Sequence, residues 1–426
     1  MATTSLPKPL LILTGAAVMM SIGMGMRQSL GLFLPEVTRD LAIKASDFTF
    51  AVAVQNIAWG LSQAPIGAIA DKWGLRPAML AGAVIYVAGM IVMALAGGAA
   101  TLAVSGGLIG IALSCTASSI AMTASARTAS PERRSTILGI VAACSSVGTL
   151  VIAPSLQSLL ARWDWHVGAV FFILRALLML PAAWYAGGAD RIPRPEEKRV
   201  AMREVVGQAI RERRYVVMTA AYFVCGLQLI FLTTHLPNYL AICGLDPMLS
   251  ATALATIGGV NIFGSWFAGW LGGRFPKYIL LGILYLSRSC VLTIFFLIPP
   301  TPASTIVFAA IMGMLWLGVI PLVSGLVAEM FGTRYMATIL GLSFVMHQMG
   351  SVIGAWGGGL MFDAFGNYDR AWQIGVLIGA LAGIAQILFG GPARPKSDER
   401  PVDERPVDER PVDERPVDER PVLAPA

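Results

Sequence analysis

The chain has 426 residues, 56% of them hydrophobic and 13% charged, with a net charge of +6 and a mean hydropathy of +0.70. A soluble domain carries roughly 25% charged residues, so this chain cannot cover its surface with polar groups and its solvent must be lipid. Its positive charge is gathered in particular loops, which reflects membrane topology and does not point to nucleic acid. The cysteines Cys115, Cys144, Cys225, Cys243 and Cys290 show no CxxC or Cys/His spacing that would hold a metal.

A membrane-spanning helix needs about 20 apolar residues. Twelve runs qualify: 9–34, 48–70, 77–97, 100–126, 135–160, 166–187, 215–240, 250–272, 278–298, 303–329, 336–361 and 370–390. They are too long and too uniformly apolar for the strands of a β-barrel. The first is too long for a cleavable signal peptide and ends in Pro35-Glu36. Basic residues cluster in alternate loops, at Lys72 and Arg76, at Arg127, Arg133 and Arg134, from Arg191 to Arg214, at Arg274 and Lys277, and at Arg334. The opposite loops hold only Arg39, Lys44, Arg162 and Arg370. The positive-inside rule then puts both termini in the cytoplasm of a bacterial-type inner membrane.

In chain order, the first polar intrusion is Arg27, in "GMGMRQSLG", with Gly23 and Gly31 one turn to either side. A guanidinium there offers a planar fork to a carboxylate, or it snorkels to the surface. The second run ends in "GAIADKWGLR", Gly67 to Arg76, where Gly74 permits a tight turn and Asp71 can pair with basic groups or a helix N-terminus. The stretch 188–214 is polar and splits the chain into bundles at 1–187 and 215–391; from Glu196 on it has the makings of a surface helix. The seventh run brings Gln228 and His235 onto one face. Arg288 lies roughly 15 Å along the ninth, near the midplane, and Trp316 in the tenth serves as an aromatic wall or as packing. His347 and Gln348 sit in the middle of the eleventh; His347 either bonds between helices or lines the path and carries the proton. The tail, 392–426, repeats DERPV five times. Proline at that period forbids helix and its composition cannot form a core, so it is expected to be disordered.

The two bundles match at an offset of 202 residues: Leu34-Pro35 falls on Leu236-Pro237, Thr136 to Gly139 on Thr338 to Gly341, and Gly148 on Gly350. At the same offset Ser145 and Ser146 fall on His347 and Gln348. Such repetition argues duplication, and parallel six-helix halves with a site between them are a known transporter plan. The fold class is therefore an all-α membrane protein with twelve transmembrane helices in two pseudo-symmetric six-helix bundles.

"GAIADKWGLR" resembles the cytoplasmic signature of the major facilitator superfamily, with Ile69, Lys72 and Leu75 departing from its usual residues. The stretches "GIVAACSSVGTLVIAP", "YFVCGLQLIFLTTHLP" and "GLVAEMFGTRYMATILGL" resemble the monocarboxylate and oxalate/formate transporter branch. The resemblance implies a conformational latch at Gly67, Asp71, Lys72, Gly74 and Arg76. It also implies a cavity between helices one, four, seven and ten, with Arg27 standing for a basic group on helix one. An aspartate–arginine pair on helix eight of the animal relatives is replaced near Asn261 and Ser265.

No Asp or Glu occupies the centre of any of the twelve runs. Arginine and histidine without an acid attract anions, and a low dielectric strengthens the attraction. The expected function is a secondary transporter for a small organic anion, coupled to a proton or a counter-anion, with substrate contacts from Arg27, Gln228, His235, Asn261, Arg288, Trp316, His347 and Gln348. Drug or toxic-anion efflux is the alternative, although the glycine-proline ending of the drug-antiporter signature is absent from helix five, and a membrane sensor is a third. No nucleophile–base pair, metal spacing or phosphate loop marks an enzyme. No cofactor is implied, the partners are the substrate, the coupling ion and the bilayer, and the expected state is a monomer.

Overall fold

The computed structural model describes residues 9–116, 118–129, 134–192, 202–331 and 336–392. Among them run twelve long helices: α1 (Pro9–Asp40), α2 (Ala45–Trp73), α3 (Leu75–Ala94), α4 (Ala99–Thr128), α5 (Arg134–Leu160), α6 (Trp165–Arg191), α7 (Arg213–Ile242), α8 (Pro247–Gly272), α9 (Lys277–Leu297), α10 (Pro302–Phe331), α11 and α12 (Asp369–Phe389). The eleventh is compound: Met336–Val352, a π turn at Ile353–Gly357, then Gly358–Phe365. A short amphipathic helix, Met202–Arg211, precedes α7, within the linker where a surface helix is expected. The DERPV tail lies outside the described residues.

Eleven of the twelve are long and apolar enough to cross a membrane. The exception is α2, with 29 residues, which carries Gln55, Asn56, Ser62 and Gln63 in its middle. Lipid offers no hydrogen bonds, so each span must satisfy its own backbone, and a helix does so. Ends are fixed locally: Asp164 accepts from the Val167 amide, Asp246 from the Met248 amide, and Thr301 and Ser304 form a reciprocal box.

The two six-helix bundles meet along two seams, α2 against α11 and α5 against α8. At the end away from the termini the halves are closed. The Ser46 amide donates to Asp363 Oδ2 at 3.0 Å, and Phe50 meets Trp356 with centroids 5.2 Å apart. Gly31 of α1 lies against the backbone of Thr233 and Thr234 in α7, so close that a Cβ could not fit. Toward the termini end, the segments Ser118–Thr128 of α4 and Val319–Phe331 of α10 each pack within their own half. Among the described residues, the halves are thus closed together at the end away from the termini.

The Gly67–Arg76 stretch forms the α2–α3 corner. Gly74 has φ +103°, a conformation that favours glycine. Asp190, at the end of α6, accepts from the amides of Leu75 at 2.8 Å and Arg76 at 2.9 Å, placing a carboxylate on the N-terminus of α3. Arg127 reaches the same carboxylate at 3.4 Å. Arg76 stacks over Trp184, and Lys72 lies above Trp73. A Cβ at Gly67 would meet open space. The side chain of Asp71 lies outside what is described.

Candidate functional site

The candidate site grows from the polar stripe of α2. Residues 55, 56, 59 and 63 recur at helical spacing, so the amides and Trp59 lie on adjoining strips of the helix. Asn56 Oδ1 accepts from Arg27 Nη2 at 2.8 Å, while Asn56 Nδ2 is fixed by the Val52 carbonyl at 2.7 Å. The Arg27 guanidinium lies over the Trp59 ring, 4.7 Å from its centroid, and Trp59 Nε1 donates to Gln63 at 2.9 Å. Arg27 is therefore held by an amide and an aromatic face. Among the described residues, none of the ion pairs found engages it.

The second half closes on this group from α11. Gln348 Nε2 donates to the Asn56 carbonyl at 3.2 Å and lies 3.4 Å from Asn56 Oδ1. His347 Nδ1 is 3.1 Å from Gln348 Oε1. The amide oxygen can only accept, so Nδ1 carries a proton in this arrangement. The His347 ring stacks on Phe344 and contacts Tyr222 of α7; Phe344 in turn meets Trp59 edge-on. One connected group thus runs from Arg27 through Asn56 and Gln348 to His347, across the seam.

Beside it, toward the closed end, is a small cavity lined by Arg27, Gln55, Asn56, Thr233 and Thr234, with Leu30 and Ile230. It offers about 10 Å³ to the centre of a water molecule, room for about one water. Among the described residues, Arg27 Nε and Gln55 Nε2 are buried here without partners. Two unpaired donors on one cavity attract an acceptor.

The other residues expected at the site stand elsewhere. His235 is buried toward the closed end, with Nε2 2.7 Å from the Ala355 carbonyl and Nδ1 3.2 Å from the Tyr368 hydroxyl. The carbonyl can only accept, so Nε2 carries the proton and Tyr368 donates to Nδ1, while Tyr368 accepts from Asn238 at 2.8 Å. Burial, against the Asn238 hydrogen bond, holds the Tyr368 hydroxyl above its usual range, consistent with a donor. Gln228 turns toward α9 and α12, donating to Ser289 and the Gly375 carbonyl. Asn261, Arg288 and Trp316 form a third group around α10. Of the expected set, Arg27, His347 and Gln348 are the ones brought together. Asn56, Trp59, Gln55 and Phe344 join them, and the signal for the first three is the run of amides on adjoining strips of α2.

The family model described as Major Facilitator Superfamily matches residues 11–355. The chain belongs to the major facilitator superfamily. It is similar to the uncharacterized MFS-type transporter YcxA of Bacillus subtilis (strain 168), 23% identical over 86% of this chain and 92% of that protein. It is also similar to monocarboxylate transporter 13 of Bos taurus, 24% identical over 82% of each chain. A third relative is the multidrug resistance protein MdtH of Edwardsiella ictaluri (strain 93-146), 26% identical over 76% of this chain and 78% of that one. Among solved structures, a D-xylose-proton symporter superposes with a TM-score of 0.68 at 16% identity, covering 89% of this chain and 97% of that one. That likeness shows the fold, the twelve-helix facilitator type; the family match makes the chain a multi-pass membrane transporter.

Proposed function

We propose that the transporter carries a small organic anion by alternating access, with Arg27 as the anchor for its negative charge. The observation that carries this reading is Arg27 itself: a guanidinium at the seam between halves, held by Asn56 and Trp59, with one donor buried and unpaired beside a cavity. A charge is costly within a bilayer, and an arriving carboxylate supplies the counter-charge. The similarity to monocarboxylate transporter 13 supports the same substrate class.

In this reading Gln348 and Asn56 orient the guanidinium, and His347, one hydrogen bond from Gln348, carries or senses the coupling proton. Exchange for a counter-anion is the other form of coupling that fits a site without an acid. His235 and Gln228 act through the packing of the second half. The Gly67–Arg76 corner is the latch region, and its hydrogen bonds to Asp190 tie it to the first half. The basic loops put both termini in the cytoplasm of an inner membrane, and the protein works as a monomer. The closed end of the two halves then faces away from the cytoplasm. Export of a toxic anion is a second reading, favoured by the similarity to a multidrug resistance protein. Uptake by proteoliposomes of labelled mono- and dicarboxylates, with and without a pH gradient, tests the proposal; uptake of cations or neutral solutes in preference to acids defeats it.

A further inference from the structure

The tenth span is interrupted. Pro302–Leu315 and Val319–Phe331 are helical, and the three residues between them, Trp316, Leu317 and Gly318, are not. Within hydrocarbon the backbone groups freed by such a break must find partners inside the protein. Here they find side chains. Arg288 of α9, with 0% of its surface exposed, donates from Nε and Nη2 to the Leu315 carbonyl at 3.0 and 2.5 Å, and from Nη2 to the Trp316 carbonyl. Its Nη1 lies 3.4 Å from Cys225 Sγ. A cation on the last carbonyls of a helix also meets the negative end of its dipole. From the other side, Asn261 Oδ1 of α8 accepts from the Leu317 amide at 2.9 Å. The backbones of α8 and α10 come close enough for this because Gly264 has no Cβ to strike Met314.

Asn261 does not stop there. Its Nδ2 crosses the α5–α8 seam and donates to Ser146 Oγ of the first half at 2.8 Å. Ser146 and Gln348 are equivalent positions, 202 residues apart. The bonds Ser146–Asn261 and Gln348–Asn56 thus use one pair of equivalent positions, one on each seam, although their asparagines are not equivalent: Asn56 falls on Gly258 and Asn261 on Trp59. The second bond leads to Arg27 and the first to the break in α10.

We propose that Asn261 and Arg288 are positioning residues that hold the interruption of α10, and that the Ser146–Asn261 clasp couples it to the docking of the two halves. Both polar atoms of the Asn261 amide are in use, so its plane is fixed. Parting α5 from α8 removes Ser146 and strands Nδ2 among apolar groups, a cost comparable to a lost buried hydrogen bond. Turning the amide to relieve that cost withdraws Oδ1 from Leu317. The break is thus held while this seam is closed and loosened when it opens. Arg288 stays on the carbonyls, four of its five N–H donors engaged within the second half, and takes no part in gripping the anion.

The test is amide exchange of Leu317 in the full chain in lipid nanodiscs, read with no substrate present, so its failure is separate from failure of the anion reading. Ser146→Ala touches no atom of α10, yet it should speed Leu317 exchange about five-fold, the factor for one neutral hydrogen bond. Ser146→Thr, which keeps a hydroxyl, should restore slow exchange. Asn261→Leu should speed it at least as much as Ser146→Ala. Unchanged exchange in Ser146→Ala, or fast exchange in Ser146→Thr, overturns the coupling. Unchanged exchange in Asn261→Leu overturns the clip itself.

Discussion

Replacing Asn56 with leucine keeps the bulk of the side chain and removes its acceptor, together with the Nδ2 donor to the Val52 carbonyl. In the native site that acceptor holds Arg27 Nη2 at 2.8 Å and lies 3.4 Å from Gln348 Nε2. A hydrogen bond to a charged group contributes about 1.5–3 kcal/mol, which corresponds to roughly 10–150-fold in an equilibrium constant. Part of that loss falls on stability and part on the anion site, because a guanidinium without its acceptor no longer presents its fork in one direction. Asn56→Leu should therefore raise KM for the best-transported acid by about ten-fold or more. Asn56→Asp separates orientation from charge. A carboxylate in that place keeps Arg27 oriented but neutralises it, so anion uptake should fall further than in Asn56→Leu. The assay is initial-rate uptake in proteoliposomes with matched protein content. A KM for Asn56→Leu within about two-fold of wild type, or robust anion uptake by Asn56→Asp, would refute the argument that Asn56 presents Arg27 to the substrate.

Two further predictions follow from single contacts. His235→Ala removes the side-chain donor to the Ala355 carbonyl of the π turn, which keeps the Gly358 amide; the expected outcome is a loss of about 0.5–1.5 kcal/mol of stability, seen as a lower Tm in detergent, with KM unchanged within about two-fold because His235 stands apart from Arg27. Asp190→Ala removes the acceptor for two amides at the start of α3 and should cost about 0.5–2 kcal/mol, whereas Asp190→Asn, which still accepts, should recover most of it.

The architecture was legible in the sequence because lipid leaves a chain few choices. Long apolar runs become helices, and the repeat at 202 residues gives two halves. Arg27, His347 and Gln348 were legible for the same reason, since each is expensive where it stands. The polar stripe of α2 was harder to read. Gln55 and Asn56 are uncharged, and only the closure of α11 over them shows that they face the seam. Arg288 carries the opposite lesson. A buried arginine reads as a substrate ligand from sequence, but its donors go to carbonyls that an unbroken α10 would have kept for itself. The signal in "MLWLGVIP" is Pro321, which has no N–H to offer the Leu317 carbonyl and crowds it, beside Gly318. The π turn that gives His235 its partner is better hidden: a wide turn within α11 depends on packing, and the local residues do not dictate it.

The central claim is that a positive group at the seam exists to receive a negative passenger. The most direct measurement compares wild type with Arg27→Gln across a panel of labelled acids, neutral solutes and cations in proteoliposomes. The wild type is expected to concentrate acids alone, and Arg27→Gln, correctly inserted, to carry none of them. Uptake of acids by Arg27→Gln at the wild-type rate contradicts the claim.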